Sequence, residues 1–527
     1  MSKLKNVLAS GLILLTANLN AQTVEDGIKM YRYERYESAK KILEPLASNN
    51  ANANYYLGLA EIGLENPTAA KAIFQKYPED IANSTGIARV LFAENKTPEA
   101  MSMLAKTAAK AKKKDWSPLK YAADAITYSE GGDPNMAVEW YKKAIDIERN
   151  GDTYIAMGDA YRKMQGGGGN AMSSYEYAEE FPNSKSLANY KMGNLWYAAK
   201  NYDSALAKFG RSSELDEMNP LPYKSLADAY YRVKKYKISK EKIEKYLELS
   251  DKTTDDQIQY ANTLFLAKDY PNAISKVNEL VAKGEGEKRP YMYRVLGYSQ
   301  YETKDYANAL TNMNKLFEKQ IPAKIIYTDH IYLGKILLVD SAKTNEANEA
   351  FNRGLAKDTT ADKTGLLREI AEASFNTEKY DVAAKWYKAL VQTNLPTVED
   401  RDYWWAGYMA FYSNDYPTAE QMFKSYYMKD STQPLSVLWM GRVTEKTKDK
   451  DYKTGLASTY YNQWLGMVKE DDATKKKDLI KAYTYLGMVA YTANKKEEVK
   501  KYIDKIMIQD PNNTTALDLK KWYDSLK

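Results

Sequence analysis

Residues 187–215 read LANYKMGNLWYAAKNYDSALAKFGRSSEL, and the spacing of three of them decides the fold. Gly193 is followed twelve positions later by Ala205, and Phe209 lies four beyond that. Met192 and Trp196 are four apart and share one helix face, with Gly193 beside them where a Cβ would hold a second helix away. Lys200-Asn201-Tyr202-Asp203 supplies the residues of a turn and a helix start. The second helix then sets Ala205 against Gly193 and plants Phe209 in the wedge between the two. The expected unit is a helical hairpin that cannot bury its apolar face alone and must stack on its neighbours.

The triple recurs about every 35 residues along nearly the whole chain. Its first small residues are Gly27, Gly58, Ala88, Ala125, Gly158, Gly193, Ala227, Ala261, Gly297, Gly334, Ala371, Gly407, Gly441 and Gly487. In eleven of these fourteen units the second small residue comes twelve later; units five and ten need one extra residue and unit thirteen needs four. Large residues such as Leu43, Phe74, Tyr175, Phe209, Met313, Phe351 and Phe423 close the triples.

This pattern resembles the tetratricopeptide repeat (TPR), with its Gly or Ala in helix A, an Ala in helix B and a large apolar residue after it. The resemblance implies an all-α, right-handed superhelical solenoid of about fourteen hairpins over residues 22–512, with a candidate break at 446–455. Pro511 stands at the closing position of the last unit, and 513–527 reads as an amphipathic C-terminal capping helix.

Residues 1–21 read as a secretory signal peptide: Lys3 and Lys5, an apolar run from Val7 to Leu15, and a small-residue end at Ala21. The run is short for a membrane span. Export, together with a complete lack of cysteine, points to the periplasm and excludes disulfides and thiol chemistry. Loss of Lys3 and Lys5 takes the formal charge from +6 to +4. That is small for 527 residues, and the basic runs at 112–114 and 475–477 fall between units, so nucleic-acid binding is not expected. There are 46 Tyr against 10 Phe; tyrosine suits a thin two-layer structure, with its ring in the packing and its hydroxyl at the edge.

Catalytic constellations are scarce. One histidine, His330, and no cysteine leave no basis for a Cys- or multi-His zinc site. Gly166–Gly169 is followed by Asn170-Ala171-Met172 rather than by the Lys-Ser or Lys-Thr of a phosphate loop, and reads as a hairpin turn. No segment outside the repeats is long enough for a catalytic domain. Neither a cofactor, a metal nor an enzymatic activity is expected.

What the resemblance leaves to carry function is the inner face lined by helices A. One place after the small residue, units five to eight present Asp159, Asn194, Asp228 and Asn262, a polar ladder able to bond an extended peptide. Four places after it, Tyr197, Tyr231, Phe265, Tyr301, Leu338, Phe375 and Phe411 form an aromatic and apolar series. Unit twelve adds Tyr403, Trp404, Trp405, Tyr408, Phe411 and Tyr412, of which Trp404, Tyr408 and Phe411 fall at groove-facing places and mark a candidate hot spot. Some TPR domains clamp a terminal carboxylate with Lys and Asn on helix A. Here Asn194 fits, but Tyr190 stands where Lys is wanted, and Lys224 in the next unit is followed by Asp228. The expected function is a non-catalytic periplasmic scaffold that binds protein or peptide partners in an envelope assembly for transport, secretion or energy transduction. The alternative is an envelope protein that binds cell wall or polysaccharide through the aromatic groove.

Overall fold

A computed structural model describes residues 22–526; the segment read as a signal peptide lies outside the described residues, as does Lys527. Among the described residues there are thirty α-helices and no β-strand. All but Glu285–Lys288 and Thr514–Ser525 pair in sequence into fourteen antiparallel hairpins. Hairpin six, for example, is Lys185–Ala198 followed by Tyr202–Leu215. The chain divides into two compact units between Leu280 and Val281. The first holds hairpins one to eight; the second holds hairpins nine to fourteen and the terminal helix.

The small–small–large triple is the physical core of each hairpin. Every helix-B small residue, from Ala39 to Val499, is at most 1% exposed, and every closing residue, from Leu43 to Ile503, is at most 3% exposed. A Cβ built on Gly193 would stand 2.5 Å from the ring of Phe209, one on Gly58 2.3 Å from Phe74, and one on Gly334 2.4 Å from Phe351. These glycines are therefore required by close packing rather than by backbone conformation. Phe74 is gripped from two sides, because a Cβ on Gly86 of the next hairpin would lie 2.4 Å from it. At three of the closing tyrosines the hydroxyl is bonded inside the hairpin. Tyr141 donates to Asp124 at 2.8 Å, Tyr175 to Asp159 at 2.7 Å and Tyr461 to Glu445 at 2.5 Å. A buried ring is tolerated with a polar tip only because the tip is satisfied.

One turn geometry joins helix A to helix B in most hairpins. Glu34, Glu65, Asn95, Lys200, Lys234, Lys268, Lys304, Glu378, Asn414 and Asn494 all adopt left-handed backbone, with φ between 56° and 65°. In hairpin six the amide of Asn201 reaches back to the carbonyl of Trp196 at 2.9 Å, and that of Lys200 to Tyr197 at 2.9 Å. This is the six-to-one closure that ends a helix and satisfies its last carbonyls. The next helix is capped at once, by Asn201 accepting from the Ser204 amide at 3.1 Å. Gly166–Gly169 solves the same problem differently: Gly166 has φ +72°, and a Cβ on Gly167 would strike the Tyr161 carbonyl oxygen at 1.9 Å.

In hairpin thirteen helix A runs to Lys448 and helix B starts at Ser458. The residues between them close over Asp449, 1% exposed, which accepts from the Thr454 amide at 2.9 Å and from the Tyr485 hydroxyl. The extra residues of this unit thus form a loop tied to hairpin fourteen. The terminal helix Thr514–Ser525 packs Ala516 and Leu519 inward, Leu519 with Ala490, Val499 and Ile503.

Candidate functional site

In the first unit, hairpin one folds back onto hairpins five to seven. Arg32 pairs with Asp152 at 2.7 Å, and the Tyr33 hydroxyl donates to Asp216 at 2.5 Å. Asp251 accepts from the Ser38 hydroxyl at 2.6 Å, the Ser38 amide at 3.2 Å and Arg35 Nε at 3.3 Å. The inner helices of hairpins one to seven consequently surround a cavity of about 540 Å³. That volume falls in the range of small-molecule sites.

Tyrosine dominates its wall. Tyr31 meets Tyr56 edge-on at 5.4 Å, Tyr55 meets Tyr121 at 5.5 Å, and Tyr36, Tyr128 and Tyr190 complete the set. Burial raises the hydroxyl pKa of Tyr55, Tyr128 and Tyr190, and pushes Tyr121 up to about 12, so these groups are neutral hydrogen-bonding tips at any physiological pH. Between the rings lie paired charges. Lys120 bonds Asp124 at 2.5 Å and Lys191 bonds Asp159 at 2.7 Å. Burial alone would lower the pKa of both lysines, but their carboxylate partners outweigh it and hold them charged.

Of the polar ladder, Asp159 lines this cavity, where it is 8% exposed and bonded to Lys191, Tyr175 and Tyr128. Asp228 accepts from Gln259 of the following hairpin; burial raises its pKa, with the Gln259 amide and Lys224 opposing. Asn194 and Asn262 are half-buried. Asp159 and Asp228 belong to a wider series of ties between consecutive helices A. Lys224 pairs with Asp256 at 2.8 Å, Arg294 with Asp329 at 2.6 Å, Arg368 with Asp402 at 2.6 Å and Lys481 with Glu445 at 2.5 Å. Asp159 and Asp228 thus also staple their own hairpins to the ones that follow, a role the sequence reading did not include. Its signal was opposite charges about one repeat apart.

The aromatic series is placed at the mouths of the hairpin turns. Tyr197 packs on Tyr202 at 5.5 Å, Tyr231 on Tyr236 at 5.6 Å, Phe265 on Tyr270 at 5.9 Å and Tyr301 on Tyr306 at 5.8 Å. Phe375 with Tyr380 and Phe411 with Tyr416 repeat the arrangement in the second unit. Each ring clamps a tyrosine five residues on, across the left-handed turn residue. All keep part of their surface in solvent, and Tyr231 is 41% exposed. Leu338, by contrast, is fully buried and offers no surface.

In the second unit the helix Asp400–Tyr412 carries the aromatic cluster, which is shared among three hairpins. Trp405 leans back on Phe375 at 5.3 Å, while Tyr408 and Phe411 lean forward on Trp439 at 4.9 and 5.2 Å. Trp439 is 4% exposed, stacked on Phe423 at 5.7 Å and covered by the Arg442 guanidinium at 4.4 Å. Trp404 stacks on Tyr408 at 4.9 Å, and its indole N–H is buried without a hydrogen-bond partner. Trp404, Tyr408 and Phe411 remain half-exposed, so the cluster both packs and presents a face.

Among the described residues no group of acidic or histidine side chains could hold a metal ion, and no helix is long and apolar enough to cross a membrane. No family model and no curated protein matches the chain. Among solved structures it is similar to the C-terminal part of a TPR repeat-containing protein from Cytophaga hutchinsonii, at 25% identity and TM-score 0.40, over 50% of this chain and 98% of that one. A tetratricopeptide repeat protein from Parabacteroides merdae matches at 16% identity and TM-score 0.31, over 49% and 98%. The APC/C hetero-tetramer Cut9–Hcn1 matches at 14% and 0.29, over 94% and 95%. The assignment rests on the repeated geometry within the chain itself, a small residue of helix A meeting a buried small and a buried large residue of helix B. The chain is an array of tetratricopeptide-type helical hairpins.

Proposed function

We propose that this protein is an exported, non-catalytic scaffold that binds protein or peptide partners through the exposed parts of its helices A, in the periplasm, as part of an envelope assembly. The observation that carries the reading is the partly exposed aromatic surface repeated once per hairpin in the first unit at Tyr197, Tyr231 and Phe265. A row of rigid rings spaced by one repeat suits an extended or helical partner that contacts several hairpins in turn. The signal-like residues 1–21 and the absence of cysteine support export.

The test is affinity capture from envelope extracts with the unaltered protein and with Tyr197→Ala plus Tyr231→Ala. Tyr231 is more exposed than Trp404 or Tyr408, and removing Tyr408 would also strip support from Trp439. Partners lost from the double variant but kept by a variant at exposed helix-B positions support the reading. Identical partners for both refute it, and sedimentation with purified cell-wall sacculi would then favour glycan binding.

A further inference from the structure

The cavity of the first unit contains a charge that the fold does not balance. Arg89, in helix Ile81–Ala93, is 9% exposed and lines the cavity wall. One of its Nη atoms donates to the Tyr128 carbonyl at 3.2 Å, and the Tyr128 ring lies 5.9 Å from the guanidinium. Its Nε is buried without a hydrogen-bond partner, and among the described residues no carboxylate lies within ion-pair distance of it. Asp124 acts on Arg89 electrostatically but is already held by Lys120 at 2.5 Å and by the Tyr141 hydroxyl at 2.8 Å. Asp152 and Asp159 are likewise taken, by Arg32 and Lys191 at 2.7 Å each. Glu34 and Glu130 stand exposed at the rim.

A buried guanidinium with spare donors and no counter-ion is costly. A protein that needed only packing here would carry an apolar residue. The surroundings indicate what relieves the cost. Around Arg89 the wall is aromatic, with Tyr31, Tyr55, Tyr56 and Tyr121 in edge contact; Tyr31 is a hydrogen-bonding neighbour of the guanidinium, and the hydroxyls provide donors and acceptors. The volume of about 540 Å³ holds a small molecule rather than a folded partner.

We propose that this cavity binds a small organic carboxylate, with the carboxylate group on the Arg89 guanidinium and a ring-shaped body among the tyrosines. Two sources present that chemistry, an aromatic acid and an acidic sugar, because tyrosine rings pack against either. The site lies on helices A but shares no residue with the aromatic row proposed to bind proteins, since neither Tyr197, Tyr231 nor Phe265 lines it, and it stands or falls independently of that row.

The experiment is equilibrium dialysis of the full mature chain at low ionic strength against two acid–neutral pairs: 4-hydroxyphenylacetate with 4-hydroxyphenylacetamide, and glucuronate with glucose. At least one acid is expected to bind about tenfold or more tighter than its neutral counterpart, the scale of a hydrogen bond to a charged group. Which acid binds more tightly identifies the source. Arg89→Lys keeps the charge but not the two-pronged donor geometry, and is expected to remove most of the preference. Arg89→Gln is expected to abolish it. The acid-to-neutral ratio is read on the unaltered protein, so it does not depend on either variant folding. Equal binding of acid and neutral partner, binding of none of the four, or a preference that survives Arg89→Lys would each overturn the proposal.

Discussion

Replacing Gly193 by alanine separates tertiary packing from helix propensity within a single hairpin. The new Cβ would stand 2.5 Å from Cδ1 and 2.6 Å from Cε1 of Phe209, whereas ordinary contact begins at 3.4 Å. The ring must therefore retreat by close to 1 Å. It has little room, being 1% exposed and packed against Ala205, Leu226 and Tyr190. Overpacking of this kind costs about 1–3 kcal/mol, and the better helix propensity of alanine returns about 1 kcal/mol. The expected net effect is a loss of about 0–2 kcal/mol. Gly210 lies in helix B of the same hairpin, and a Cβ there meets nothing within 4 Å. Gly210→Ala should therefore stabilise by about 0.5–1 kcal/mol. Because a solenoid opens hairpin by hairpin, the readout is hydrogen exchange of the amides in Lys185–Leu215 alongside urea unfolding. Adding Phe209→Leu to Gly193→Ala should recover part of the loss through a favourable coupling term. If Gly193→Ala stabilised hairpin six as Gly210→Ala does, the packing argument behind every triple would be wrong.

Three further outcomes follow from the same contacts. Asp216→Ala with Asp251→Ala removes two carboxylates that hold hairpin one, at about 1.5–3 kcal/mol for each hydrogen-bonded charge. Exchange in Val24–Leu43 should accelerate at least tenfold while Lys185–Leu215 keeps its protection. Asp402 is 1% exposed, bonds Arg368 through both carboxylate oxygens at 3.0 and 2.6 Å, and caps its own helix at the Glu399 amide, so Asp402→Ala should cost about 3 kcal/mol, seen as a lower urea midpoint for the second unit. The single histidine, His330, gives a clean nuclear magnetic resonance titration: burial, with Lys357 and Arg353 in support and Asp329 opposing, holds its pKa below the ordinary value. Neutral His330 thus favours the folded state above about pH 6.5, and that contribution fades as the pH falls through the lowered value. A resonance titrating at or above 6.5 would contradict the burial.

The hairpins were legible in the sequence because their packing is local. Gly193, Ala205 and Phe209 lie within seventeen residues, and the helical period alone brings them together. The return of hairpin one onto hairpins five to seven was not legible. Tyr33 and Asp216 meet across 183 residues, through the cumulative rotation of the intervening hairpins rather than through any pattern in the chain. The ladder residues Asp159 and Asp228 were read as facing a partner because they recur on helix A, but recurrence on one face also serves the neighbouring hairpin. Tyr197, Tyr231 and Phe265 were readable as a series, and the Tyr five places after each was visible too; the turn that brings the two rings together was not inferred. Arg89 was missed altogether, since its significance lies in what does not surround it.

The central claim is that partners are held by the helix-A surface. The most direct measurement places a photocrosslinking amino acid at Tyr231, on helix A, and at Glu241, exposed on helix B of the same hairpin, and compares adducts in intact cells. Discrete adducts from position 231 and none from position 241 are predicted. Adducts from 241 alone, or equally from both, would contradict the account.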